Sequence, residues 1–161
     1  MTMTDRNTPA LESIGQYLFA QPVTLPESLL HAMLDEVALR AEPETLRAWC
    51  NLFGKMWGER AHDQFKDCDD LSALNSAVNA FLARNNWGWC EMSETEDGLR
   101  VEHGGAPLLA FSVRQHLIWS CGLLEGFYDA VFKLLGADDS MQVLVESISA
   151  DGLHINLKLA A

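Results

Sequence analysis

The chain has 161 residues, of which 48% are hydrophobic and 21% charged, the make-up of a globular chain long enough to bury a core without disulfide or metal staples. With 11 basic side chains against 23 acidic ones its net charge is −12, which argues against recognition of nucleic-acid phosphates and against attraction to an anionic membrane surface. No window approaches the roughly 18 consecutive apolar residues of a membrane-spanning helix, so no membrane insertion is expected.

Residues 1–10 are polar up to Pro9 and are expected to form a flexible arm, with 11–161 as a single domain. The opening MTMTDRNTPALESIGQYLFAQP lacks the pattern of a secretory signal, so a cytoplasmic location is expected. Leu11, Ile14, Gly15, Leu18 and Phe19 recur at helical spacing and predict a short helix that Gln21-Pro22 ends. Leu25, Leu29, Leu30, Met33, Leu34 and Val37 form an apolar stripe at steps of three and four, with Thr24 as N-cap and Pro26 in the first turn. Pro43 opens the next helix, and Glu42 or Glu44 complements its dipole. Its stripe is Leu46, Trp49, Cys50, Phe53, Met56 and Trp57, with Gly54 and Gly58 four apart beside it. Each glycine costs about 1 kcal/mol against alanine in a helix interior, and such a pair suits the close approach of another helix.

After the polar AHDQFKDCDD, Asp70 is placed to cap a third helix with the stripe Leu71, Leu74, Ala77, Val78, Phe81 and Leu82. At its end Asn86 or Gly88 is expected in the left-handed conformation. Trp87 to Met92 and Leu99 to His103 read as an antiparallel hairpin turned by SETEDG, with Asp97-Gly98 as the turn signal and the acidic side chains at a solvated tip. GGAPL breaks the chain, and LLAFSVRQHLIW reads as a strand leading into a helix. The most apolar helix follows, with Leu123, Leu124, Phe127, Val131, Leu134 and Leu135 on a broad face, Ser120 as cap and Gly136 as its end. Glu125, Asp129 and Lys133 lie four apart along one edge of it, and Gly122 and Gly126 again lie four apart. Two alternating strands close the chain, joined through Asp151-Gly152. Val143, Val145 and Ser147 are expected on one face of the first, and Leu153, Ile155, Leu157 and Leu159 on one face of the second. The order of elements predicts an α+β fold: N-terminal helices, then an antiparallel sheet of two hairpins around one long apolar helix.

Motifs for chemistry are missing. There is no glycine-rich phosphate loop, no HExxH and no GxSxG. The four cysteines, Cys50, Cys68, Cys90 and Cys121, form no CxxC pair and read as reduced thiols. With His31, His62, His103, His116 and His154 scattered, neither a metal nor another cofactor is expected. Cys121 begins a helix, where the dipole can lower a thiol pKa, but its neighbours Trp119 and Leu123 are apolar and no histidine is placed beside it. The expectation is no catalytic residue and no enzyme.

The pieces nevertheless resemble a known family. The helix Leu71 to Arg84 running into Trp87-Gly88, the hairpin closing as Leu99-Arg100-Val101-Glu102-His103, and Trp119 followed by Leu124-Glu125-Gly126-Phe127-Tyr128 resemble, in order and spacing, the D subunit encoded by bacterial cellulose synthase operons. Specific matches fall between about residues 71 and 130, while the N-terminal half is similar in pattern alone. What the resemblance implies is a non-catalytic accessory subunit: a ring-shaped homo-octamer built from dimers, acting with other proteins of the operon to organise synthase complexes and promote the export and crystallisation of glucan chains. Polymerisation would belong to a separate membrane-embedded protein, and the N-terminal arm would lie toward the interior passages.

Two consequences can be attached to residues. A closed ring needs two self-complementary surfaces. Gly122, Leu123, Gly126, Phe127 and Tyr128 are candidates for one oligomer interface and the helices of Trp49 and Trp57 for the other, the alternative being that all of them fill the core. Glucan contact is assigned either to the arm, through Thr2, Thr4, Asp5, Arg6 and Asn7, or to Trp87 and Trp89 near the predicted turn. Cellulose is extruded outward, which favours a periplasmic ring, whereas the start of the chain and its thiols favour the cytosol. The rival readings are a small-ligand sensor with an apolar pocket between residues 120–135 and the sheet, and a glucan-cleaving enzyme using Glu102 and Asp129.

Overall fold

A computed structural model of the chain describes residues 27–96, 98–108 and 117–160. The expected arm, the helix expected around 11–19 and the Thr24 cap therefore lie outside the described residues, as does most of the stretch expected to run from strand to helix before Trp119.

The helical periodicities become α1 (Glu27–Ala38), α2 (Pro43–Arg60) and, after a 3-10 turn at His62–Gln64, α3 (Leu71–Arg84). Pro43 starts α2 behind an extended Glu42, and Asp70 caps α3 by accepting the Ala73 amide at 2.7 Å. Asn86 at φ 56° and Gly88 at φ 78° then turn the chain into the first hairpin, β1 (Trp89–Thr95) and β2 (Gly98–Gly104). Thr95 pairs with Gly98, so both strands run closer to the turn than the sequence pattern suggests, while β1 begins at Trp89 rather than at Trp87.

A single turn, α4 (Leu117–Ser120), leads directly into α5 (Gly122–Leu134). This corrects the expected role of Ser120: Cys121 occupies the N-cap position with helical dihedrals and makes no side-chain cap. Gly136 ends the helix at φ 97°. The second hairpin is β3 (Gln142–Ile148) with β4 (His154–Ala160). Its neighbour is β2, so the two hairpins form one antiparallel sheet in the order β1-β2-β4-β3. Together these elements make an α+β fold.

The expected alternation along β3 holds only as far as Val145. A bulge between Val145 and Ser147 inserts Glu146, so Ser147 lies opposite Asn156 and Ile148 opposite Ile155. Ile148 thereby joins the core face, and Ser147 faces outward to accept a hydrogen bond from Asn156 at 2.9 Å.

One face of the sheet is covered. Cys90, Met92, Val101, His103, Ile155, Leu157 and Val143 pack beneath α3 on the β1 side and α5 on the β3 side. α2 lies along α5 as a further layer, and Trp57 wedges its ring between Phe81, Trp87 and Phe127 at centroid distances of 5.2, 4.9 and 4.7 Å. The space between the middle of α5 and the sheet is filled by Leu124, Phe127, Tyr128 and Val131, all fully buried, while toward the end of α5 Phe132 and Leu135 line, with Leu71, Leu74, Leu99 and Leu159, an open and largely apolar hollow of about 280 Å³.

Each edge of the sheet receives hydrogen bonds from helix side chains. On α3, Asn79 accepts the Cys90 amide at 2.9 Å and donates to its carbonyl at 2.7 Å, while Asn75 accepts the Met92 amide at 3.1 Å. On α5, Glu125 accepts the Val145 amide of β3 at 2.9 Å. These four backbone groups, which an edge strand would otherwise present to another chain, are spent inside the molecule.

Candidate functional site

The seam between α2 and α5 explains the two glycine pairs. A Cβ on Gly54 would fall on the Leu123 carbonyl oxygen, one on Gly58 would lie 2.8 Å from the Phe127 carbonyl oxygen, and one on Gly126 would fall on that of Asn51. The two helices therefore approach backbone to backbone. Of the residues expected at an oligomer interface, Gly122, Gly126, Phe127 and Tyr128 are buried within the chain, and Leu123 is half-buried. The close approach that these glycines permit is spent on α2 of the same chain.

Charged groups flank this seam. Arg47 on α2 reaches Glu125 with Nη2 at 2.5 Å and Nε at 3.1 Å, while Lys55 and Lys133 each lie 3.2 Å from Oδ2 of Asp129. The carboxylates are 3% and 4% exposed, so the series read as a helix edge is in fact a buried pair anchored from a second helix. Glu44, Arg47, Asn51, Lys55, Glu125 and Asp129 line a shallow cleft here, and its ionised groups are largely matched within the chain.

Further titratable groups are buried in the core. The Tyr128 hydroxyl lies 2.7 Å from Nδ1 of His103, whose Nε2 lies 2.9 Å from the Trp87 carbonyl. Since a carbonyl only accepts, Nε2 carries the proton and Nδ1 accepts from tyrosine. Burial pulls this imidazole down to about 4. Burial also pushes the thiols of Cys50 and Cys90 up to about 11 and that of Cys121, in the core, up to about 12. Glu102 lies on the outer face of the sheet and Asp129 on α5, so the fold does not bring the two carboxylates considered for glucan cleavage together. Among the described residues no group of three or more His, Cys, Asp and Glu is arranged to hold a metal, and no helix is long and apolar enough to cross a membrane.

Among the described residues two surfaces are left uncovered. With its glycine side turned to α5, α2 turns Trp49, Leu52, Phe53 and Met56 outward, at exposures of 46%, 53%, 57% and 40%. These positions step by three and four along one face and form a continuous apolar stripe. Met33 and Val37 of α1 are likewise exposed. The predicted stripe of α2 thus splits: Leu46 and Trp57 go inward, while Trp49, Phe53 and Met56 face solvent.

The second uncovered surface is the outer face of the sheet. Trp89, Gly104 and His154 lie in one row across β1, β2 and β4, and Glu91, Glu102 and Asn156 in the next. Trp87, by contrast, is half-buried in the aromatic cluster around Trp57. Thr2, Thr4, Asp5, Arg6 and Asn7, the arm residues expected to meet glucan, lie outside the described residues.

Compared with known proteins, the chain matches a family model described as the D subunit of cellulose synthase over residues 21–160. No curated protein matches it.

Proposed function

The chain belongs to the family of cellulose synthase D subunits, and from that membership we propose that it is a non-catalytic accessory component of bacterial cellulose synthesis that assembles with itself into a closed ring. In that role it organises synthase complexes, together with other proteins of the operon, so that glucan chains are exported side by side and crystallise. The observation that carries the self-assembly is the α2 stripe of Trp49, Leu52, Phe53 and Met56, each 40–57% exposed. A contiguous exposed apolar stripe is the kind of surface that a second protein surface covers. Asn75, Asn79 and Glu125 take up backbone groups on the sheet edges, which disfavours association by strand addition there.

The strongly acidic surface suits basic segments of partner proteins. The thiols and the composition favour assembly on the cytoplasmic side of the inner membrane. The test is the solution mass of the purified chain by light scattering at micromolar concentration. A defined species near eight times 17.9 kDa is expected, and a monomer refutes the ring.

A further inference from the structure

The open hollow of about 280 Å³ lies where α3 begins and α5 ends. Leu71 and Leu74 of α3 form one side of it, and Phe132 and Leu135 at the end of α5 another. Leu99 and Leu159 also line it, and they face each other across β2 and β4 at the end of their shared ladder. These walls are apolar and stand open to water, so they gain from being covered.

The rim of the hollow carries one sign of charge. Asp69 and Asp70 line it beside Cys68, and Asp67 directly precedes Cys68. The Cys68 thiol is held above its ordinary value, first by burial and then by the charges of Asp67, Asp69 and Asp70, so all three aspartates act at this point. On the far side Asp138 and Asp139 follow Ala137, which also lines the hollow. Glu94 is the cross-strand neighbour of Leu99 and shares its face of the sheet. The lysines beside these segments are already engaged: Lys66 lies 3.0 Å from Asp63, and Lys133 lies 3.2 Å from Asp129. Because α5 ends here, the carbonyl end of its dipole adds to the negative field.

Apolar walls inside an anionic rim select an occupant by both features. A second copy of the chain brings a net charge of −12 to a rim of the same sign, which disfavours it as the occupant. The hollow is open and lies below the roughly 300–1,000 Å³ of sites that enclose a small molecule, a size that suits anchoring side chains from a longer segment. We propose that the hollow is a docking site for a different protein, which inserts one or two apolar side chains from a short segment and sets adjoining lysines or arginines against Asp67, Asp69 and Asp139. This assignment rests on the reading of the chain as an accessory component that works with other proteins, and it names the face by which a basic partner is held. The rim steers the partner in, and the leucines and Phe132 supply the desolvated contact.

The experiment is selection of phage-displayed random peptides on the full chain, followed by fluorescence anisotropy with synthetic copies of the peptides that emerge. Enriched peptides are expected to carry leucine, isoleucine or phenylalanine next to lysine or arginine, and to bind more weakly as salt rises. Leu135→Glu places a carboxylate at the mouth of the hollow and is expected to weaken binding about tenfold or more. Its thermal unfolding should change little, since Leu135 is 36% exposed. Asp67→Asn together with Asp69→Asn is expected to weaken binding severalfold and to flatten its salt dependence. If Leu135→Glu misfolds, the aspartate pair decides alone. The proposal is overturned by no enrichment, by enriched peptides without basic residues, or by equal affinity of wild type and the variants. A lower solution mass for Leu135→Glu than for wild type also overturns it, by making a second copy the occupant. The mass of the wild type separates this outcome from the ring reading: an octamer that selects no such peptide keeps the ring and loses the docking site, and a monomer that selects them does the reverse.

Discussion

The Glu125 carboxylate ties three elements at one point: Oε1 accepts the Val145 amide of β3 at 2.9 Å, and both oxygens engage Arg47 of α2. Its side chain is 4% exposed and that of Arg47 is 37% exposed. Removing Arg47 leaves a buried carboxylate whose missing partner water partly replaces, so Arg47→Met is expected to cost about 1–2 kcal/mol. Glu125→Ala also frees the edge of β3 and is expected to cost about 3 kcal/mol. Urea unfolding of the two single variants and the double one checks this. The double variant should lose less than the sum of the singles, and strict additivity would show that the pair is not coupled.

The glycine seam predicts a sharp contrast among glycine-to-alanine changes. At Gly54 and Gly126 the new methyl meets backbone carbonyl oxygens of the facing helix, which cannot rotate away. Each change must part α2 from α5 and is expected to cost about 3 kcal/mol. Gly136, at φ 97°, has nothing within 4 Å of a built Cβ, so alanine there meets only backbone strain, about 1 kcal/mol. Similar losses at all three, measured by urea midpoint, would mean the seam is not tightly packed.

His103 gives a pH dependence whose sign is fixed. Folded, its imidazole is held down at about 4 by burial, against an ordinary value of 6.5. Between these values the unfolded chain binds a proton that the folded chain refuses, so stability is constant above about pH 6.5 and falls as pH drops toward 4. From this group the expected loss is about 2 kcal/mol between pH 7 and pH 5. Asp138 and Asp151, held below the usual carboxylate value by Ser140 and Ser149, lose their contributions at lower pH still. His103→Gln should flatten the slope between pH 7 and 5. An unchanged slope would place the titrating group elsewhere.

What the sequence makes legible follows from how local each signal is. Helix limits at Pro43, Asp70 and Gly136 and the turn residues Asn86, Gly88 and Gly152 are set within a few residues, and they appear where the pattern puts them. The bulge in β3 does not, because Glu146 is an ordinary strand residue until Glu125 and Arg100 take up its surroundings. The inward face of α2 is likewise not legible from hydrophobicity: aromatic residues lie on two sides of that helix, and its own Gly54 and Gly58 select the side that can come closest to α5. Trp89 is legible as a turn-proximal tryptophan, but its cross-strand seat over Gly104 is fixed only by register. Asn75 and Asn79 carry a signal in hindsight, since two amides four apart on an otherwise apolar helix are placed to serve an edge strand.

The last prediction concerns the α2 stripe. Phe53 is 57% exposed and Leu52 53%, so neither contributes much to the core of the isolated chain. Phe53→Glu is therefore expected to leave thermal unfolding of the monomer nearly unchanged, within about 0.5 kcal/mol. If the stripe is an interface, the same change places a charge in a desolvated apolar contact, a loss of several kcal/mol per contact that a ring repeats at each such junction. Sedimentation velocity should then show Phe53→Glu as a smaller species than wild type at equal concentration. Two controls locate the effect: Glu91→Gln on the outer sheet face should keep the wild-type mass, and Trp49→Glu, one turn along the stripe, should reproduce the loss. A Phe53→Glu chain that retains the full wild-type mass would remove α2 from the interface and return the search to α1, where Met33 and Val37 are exposed.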